Sequence, residues 1–150
     1  MTGPRDFLPT GYEPMDREHA QIDDAVERLL GEVNGGSVAD VRGALADLLS
    51  LAGAHFAHEE RLMADTGYSH RARHKEAHDL FLADVSSFSR LLSGRRVAPA
   101  FRRWAVGRLK TWVRFHVSAN DVALGAFLAA RQRQGRASTP AELADSSRPR

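Results

Sequence analysis

Five histidines, one glutamate and one aspartate fall on apolar stripes that recur every three or four residues, spread over four separate segments of the chain. That repeat lines one face of an α-helix. An ionisable side chain on a buried face is costly unless it is paired or bound to a metal. A chain with this pattern has to bring four helical faces together around a polar centre.

The segments are set off by Pro14, the Asn34-Gly35-Gly36 stretch, Gly67, Gly94 and Pro99, which punctuate helices. The first, Met15 to Val33, carries Ile22, Val26, Leu29, Leu30 and Val33 on one stripe, with His19 in phase. The second, Val38 to Ala64, has Ser37 as its expected N-cap and runs Val41, Leu45, Leu48, Ala52, then His55, Glu59 and Leu62. The third, Ser69 to Leu92, reads His74, His78, Phe81, Val85, Phe88 and Leu92. The fourth begins near Pro99 and follows Phe101, Ala105, Leu109, Trp112 and His116. Beyond His116 the stripe slips by one residue to Asp121, Leu124 and Leu128, which predicts a kink, bulge or helix break over residues 118–120.

Four such helices of about 20 residues, each about 30 Å long, with short connections and no strand pattern, predict an all-α, antiparallel up-down-up-down four-helix bundle. The chain of 150 residues has the length of one domain. The expected division is an N-terminal arm over 1–14, the bundle over 15–130, and a flexible tail over 131–150, where Arg, Ser and Pro accumulate.

Composition removes several functional classes. There is no cysteine, so disulfides, thiolate zinc sites and thiolate-ligated iron-sulfur clusters are excluded, and any metal must sit on His, Asp or Glu. A formal net charge of only +2 gives nucleic-acid binding little support. No apolar run reaches the length of a membrane span, and the first residues lack a signal-peptide pattern, so a cytoplasmic location without membrane attachment is the expectation.

The candidate site is therefore His19, His55, Glu59, His74, His78, His116 and Asp121, five imidazoles and two carboxylates. His55 with Glu59, and His74 with His78, are separated by four residues and stack on one helix face. His116 and Asp121 are five apart, a spacing that reaches one centre only if the helix is distorted between them. Two metal ions suit this number of ligands.

In the pieces MDREHAQI, HFAHEERLM, HKEAHDLF and WVRFHVSAND the chain resembles the hemerythrin family, particularly its bacterial single-domain members, from about Gly11 to Leu128. The combination of HFxxEExxM, HxxxH followed by Phe, and WxxxHxxxxD is far more specific than any one pair of histidines. The resemblance implies a non-heme di-iron centre bridged by oxo or hydroxo. One iron would be bound by His74, His78 and His116 and the other by His19 and His55, with Glu59 and Asp121 bridging. It also implies reversible dioxygen binding at an open position on the second iron, for storage, delivery or sensing, by a monomer that is not an enzyme.

Around this set, His58 and His70 are expected at the surface, and so is Glu60, which is out of phase with His55. A rival register would pair His70 with His74; Phe81 and the unbroken stripe through His78 favour His74 with His78. Phe81 and Trp112 could shield the cluster from water. Two other functional classes compete: a di-iron enzyme reducing peroxide, nitric oxide or dioxygen at the same cluster, and a metal-free helical interaction module. The histidine-rich ligand set and the lack of a second acid, base or thiol favour binding over turnover. The cost of burying seven ionisable groups disfavours the module.

Overall fold

The computed structural model of the protein describes residues 8–137, all of it helical apart from short connections. Helix α1 spans Glu13–Gly35, with Pro14 in its first turn where its missing N–H costs nothing. Helix α2 spans Val38–Thr66 and opens with a reciprocal cap: Asp40 N–H donates to Ser37 Oγ at 3.1 Å, and Ser37 N–H to Asp40 Oδ2 at 2.9 Å. Its far end is closed by Gly67 at φ 65°, a left-handed position that glycine adopts without penalty. Helix α3, Arg71–Ser89, tightens into a 3-10 turn over Arg90–Ser93.

The fourth limb is built from α4 (Pro99–Arg103), a π-helical stretch Trp104–Leu109, α5 (Lys110–His116), a second π-helical stretch Val117–Asp121, and α6 (Val122–Ala137). Residues at the junctions keep right-handed helical angles, so the limb is continuous. The slip expected at 118–120 is thus a widened turn rather than a break. The first π stretch has no counterpart in the sequence reading, because Phe101, Ala105 and Leu109 satisfy an ordinary four-residue repeat. Its effect appears one turn later, where Val113 is buried and Trp112 only half-buried.

These four limbs form the expected bundle. Its interior falls into two apolar clusters with a polar layer between them. One runs from Ile22, Leu48 and Val113 to Val33, Leu92 and Phe101. The other is Met15, Met63, Leu124 and Leu128. On α1 and the fourth limb the candidate ligands lie in sequence between residues of these two sets, on α2 Phe56 of the first cluster falls between His55 and Glu59, and on α3 both histidines precede Phe81 of the first cluster, so packed apolar side chains flank the polar layer.

The last helix runs through Ala137, past the Arg131 start expected for the tail, and the remainder of that tail lies outside the described residues. Part of the N-terminal arm is held in place: Thr10 is buried, and both its N–H and its hydroxyl donate to Asp16 Oδ1 at 2.8 Å. It lies against Gly125, where a Cβ would come within 2.4 Å of Thr10 Cβ and 2.6 Å of its carbonyl oxygen. Only glycine permits that approach.

Candidate metal centre

All seven expected residues are buried, none more than 3% exposed, and they meet in the polar layer. The two carboxylates are its organising element. Glu59 Oε2 lies 3.1 Å from His78 Nε2 and 3.3 Å from His74 Nε2, while its Oε1 lies 3.5 Å from His55 Nε2. Asp121 does the same from the fourth limb: Oδ1 is 3.0 Å from His74 Nε2 and 3.1 Å from His116 Nε2, and Oδ2 is 3.0 Å from His19 Nε2. Each carboxylate therefore turns one oxygen to His74, His78 or His116 and the other to His19 or His55.

The second π stretch makes this possible. Five residues separate His116 from Asp121, and the widened turn returns both to the same face. On the other limbs a regular α-helix suffices, since four-residue spacing already superposes His55 on Glu59 and His74 on His78.

The donor set passes a test of fit to metal ions. Glu59 Oε1 and Oε2, Asp121 Oδ1 and His78 Nε2 are buried with no hydrogen bond of acceptable geometry, although neighbours stand 3.0–3.5 Å away. Two donors about 2.1 Å from one ion, at angles of about 90–110°, lie about 3.0–3.4 Å apart. Distances of that size without hydrogen-bond direction are what lone pairs aimed at a common centre produce. Two groups have ligand atoms within 4.8 Å of one another, Glu59 with His74, His78 and His116, and Glu59 with His19, His55 and Asp121.

Behind the imidazoles stand residues that orient them. His55 Nδ1 donates to Glu18 Oε2 at 2.7 Å, which turns its Nε2 inward, and the other Glu18 oxygen accepts from His58 Nδ1 at 2.7 Å. His78 Nδ1 lies 3.2 Å from Glu60 Oε1, and the Asn120 amide lies 3.2 Å from His116 Nδ1. Two expectations need correction here. His58 is half-buried and bonded to Glu18 rather than solvated, and Glu60 supports His78 rather than being an idle surface charge. His70 is exposed, as expected, which removes the rival register. Glu18, Glu60 and Asn120 went unread because they are off the apolar phase. A signal exists all the same: each is the immediate sequence neighbour of a candidate ligand, flanking the stripe where the next helix packs.

Aromatic rings pack on the imidazoles. Phe56 stacks on His78 at 4.0 Å between centroids, Trp112 stacks on His116 at 4.6 Å, and Phe81 covers Trp112 at 4.1 Å. Between these rings and the layer lies a cavity of about 20 Å³, with Ile22, Leu48, Ala52 and Val113 on its apolar side and His19 and His55 on the other. That space holds one molecule of about a water's size.

Electrostatics follow from the close carboxylates. Burial works against charge on His55, but Asp121, Glu18 and Glu59 outweigh it and push its pKa up to about 10. His74 is treated alike, burial lowering it and Asp121 with Glu59 raising it to about 9. Burial and mutual repulsion would keep Glu59 protonated, yet His74 and His78 hold it below its ordinary value. Asp121 is held well below, its own burial being overcome by His116, His19, His55 and His74. The layer thus demands positive charge, which protons or metal cations can supply.

A four-helix bundle that closes buried histidines and two inward carboxylates between apolar clusters belongs to the class of helical metal-binding proteins. The family follows from comparison with known proteins: the model of the hemerythrin HHE cation binding domain matches residues 10–127, and the chain belongs to that family. It is similar to the bacteriohemerythrin of Pseudomonas aeruginosa, 30% identical over 118 residues, covering 78% of this chain and 74% of the relative. It is also similar to the myohemerythrin of Riftia pachyptila, 33% identical over 105 residues, covering 70% of this chain and 82% of that one. A crystal structure of a hemerythrin leucine-to-tyrosine mutant superposes with a TM-score of 0.73 at 24% identity, covering 86% of this chain and 97% of that chain, a likeness of fold. Among the described residues no helix is long and apolar enough to cross a membrane.

Proposed function

We propose that the protein binds dioxygen reversibly at a non-heme di-iron centre and serves as an oxygen-binding protein rather than an enzyme. In this reading His74, His78 and His116 hold one iron, His19 and His55 hold the other, and Glu59 and Asp121 bridge them. The observation that carries it is the two-sidedness of both carboxylates, each with one oxygen toward either group of histidines. A single-ion site would leave half of those oxygens buried without purpose.

Iron held by these residues would supply the reversible electron transfer that dioxygen binding requires. The chain's own contribution is positional. Glu18 and Glu60 fix which nitrogen of His55 and His78 faces inward. Phe56, Phe81 and Trp112 exclude water from the imidazoles, and the small cavity beside His19 and His55 admits a diatomic molecule but little else. With three histidines on one side and two on the other, His19 and His55 would hold their ion with fewer protein nitrogens, and it is these two that line the cavity. Iron is preferred over other metals on family grounds, since imidazole and carboxylate suit several.

Metal analysis with optical spectroscopy tests this. The expected result is two irons per chain and a visible charge-transfer band that appears with oxygen and vanishes under argon, over repeated cycles. Iron without a reversible band, together with sustained turnover of peroxide, nitric oxide or dioxygen by an added electron donor, would establish the enzyme in its place.

A further inference from the structure

We propose that the groove between α3 and the fourth limb is a binding site for a planar aromatic anion of the flavin mononucleotide class. The groove has a volume of about 450 Å³, within the range of about 300–1,000 Å³ that small-molecule sites occupy. Its shape comes from three alanines. Ala77 on α3, Ala119 in the second π stretch and Ala123 on α6 line it, and methyl side chains at these positions leave a trough where larger residues would have filled the space between helices.

The walls are aromatic. Phe115 is 67% exposed, a large apolar ring held in solvent beside the trough, and Tyr68 stands on it as well. An exposed and a half-buried aromatic ring beside a methyl-lined trough suit a flat ring system. Arg73 brings a positive charge to the groove and has no ion pair among the described residues, and His70 also lines it, edge-on to Tyr68 at 5.6 Å. An unpaired guanidinium there is placed to take a phosphate.

The inner wall decides which member of the class belongs there. His74 and Asn120 line the groove. His74 Nε2 faces Glu59 and Asp121 on its other edge, while its Nδ1 is buried without a hydrogen-bond partner. A ligand in the groove is thus one imidazole away from the metal layer, on the side away from the enclosed cavity at His19 and His55. That position suits an electron-exchanging ring, while a small gas molecule has its own space opposite. The choice of a redox-active occupant rests on the di-iron reading; the binding does not.

Oxidised flavin mononucleotide is fluorescent, so titration with the purified chain reads binding directly, and iron content measured on the same sample reports separately on the metal reading. Saturable quenching is expected. Arg73→Glu should weaken it by about tenfold, the scale of one charge-assisted contact, and Ala123→Phe should abolish it by filling the trough. Arg102→Glu, the same charge change on an exposed residue at the other end of the bundle, should leave it unchanged. Riboflavin, without the phosphate, should bind more weakly and be insensitive to Arg73→Glu. No saturable quenching, equal losses from Arg73→Glu and Arg102→Glu, or undiminished binding by Ala123→Phe would each overturn the proposal.

Discussion

Glu18 is the side chain on which the geometry of His55 depends. It accepts from His55 and from His58 with both oxygens, and these bonds hold its pKa below the ordinary carboxylate value despite partial burial. Replacing it by alanine frees the His55 ring to turn, and loss of such a supporting partner weakens metal binding by about 10–100-fold. Chelator competition on Glu18→Ala measures this; unchanged affinity would mean that packing alone orients His55. The raised histidines give a second expectation. His55 and His74 have pKa values of about 10 and about 9 in the fold, against about 6.5 in an unfolded chain. Their protonation therefore stabilises the metal-free fold fully below pH ~6.5, and that contribution fades as pH rises through 9 to 10. The melting temperature of the metal-free protein should fall over this interval while that of the loaded protein does not. Loading at neutral pH should release protons into a weakly buffered solution.

At the scale of the element, the second π stretch is a one-residue insertion in an otherwise α-helical limb. Deleting Ser118 would restore a regular turn and leave His116 and Asp121 four residues apart, the spacing that superposes ligands on a regular helix, with Leu124 and Leu128 still in phase with Asp121. The deletion variant should keep its metal-free stability and its metal content, as calorimetry and metal analysis would show; a loss of metal with stability unchanged would mean that the wide turn itself, and not phase, aims Asp121. This stretch also marks what could be read in the sequence. Helices bearing His19, His55, Glu59, His74 and His78 announce themselves because ligand and core share a 3.6-residue period. The His116 to Asp121 slip showed that something interrupts the fourth limb, but its form as a wide turn is a matter of backbone hydrogen bonding that side-chain periodicity does not encode. The earlier π stretch was invisible, since its apolar residues fit a regular repeat. Glu18, Glu60 and Asn120 were hidden for the opposite reason: a polar residue beside a core stripe has the same sequence appearance whether it meets water or an imidazole.

For the whole molecule, the contact of Thr10 with Gly125 ties the first described residues to the last helix. A methyl group at 125 would collide with backbone as well as side chain, and overpacking of this kind costs about 1–3 kcal/mol. Gly125→Ala should lower the denaturant midpoint accordingly, and Thr10→Gly in the same chain should recover part of the loss, as a double-mutant cycle would show. Metal content of the double variant should be normal, because the contact lies outside the polar layer.

The pairing of His19 with Asp121 spans 102 residues, most of the described chain, and this bears on how the protein is made. Synthesis proceeds at about 5–20 residues per second, so five of the seven side chains in the layer leave the ribosome several seconds before the last two. Until the fourth limb arrives, those five have no Asp121 to pair with and no Trp112 to cover them. An incomplete nascent chain therefore carries a half-built polar layer that favours neither collapse nor tight metal capture. The layer can close only once Asp121 has been made, which ties metal capture to synthesis of the fourth limb.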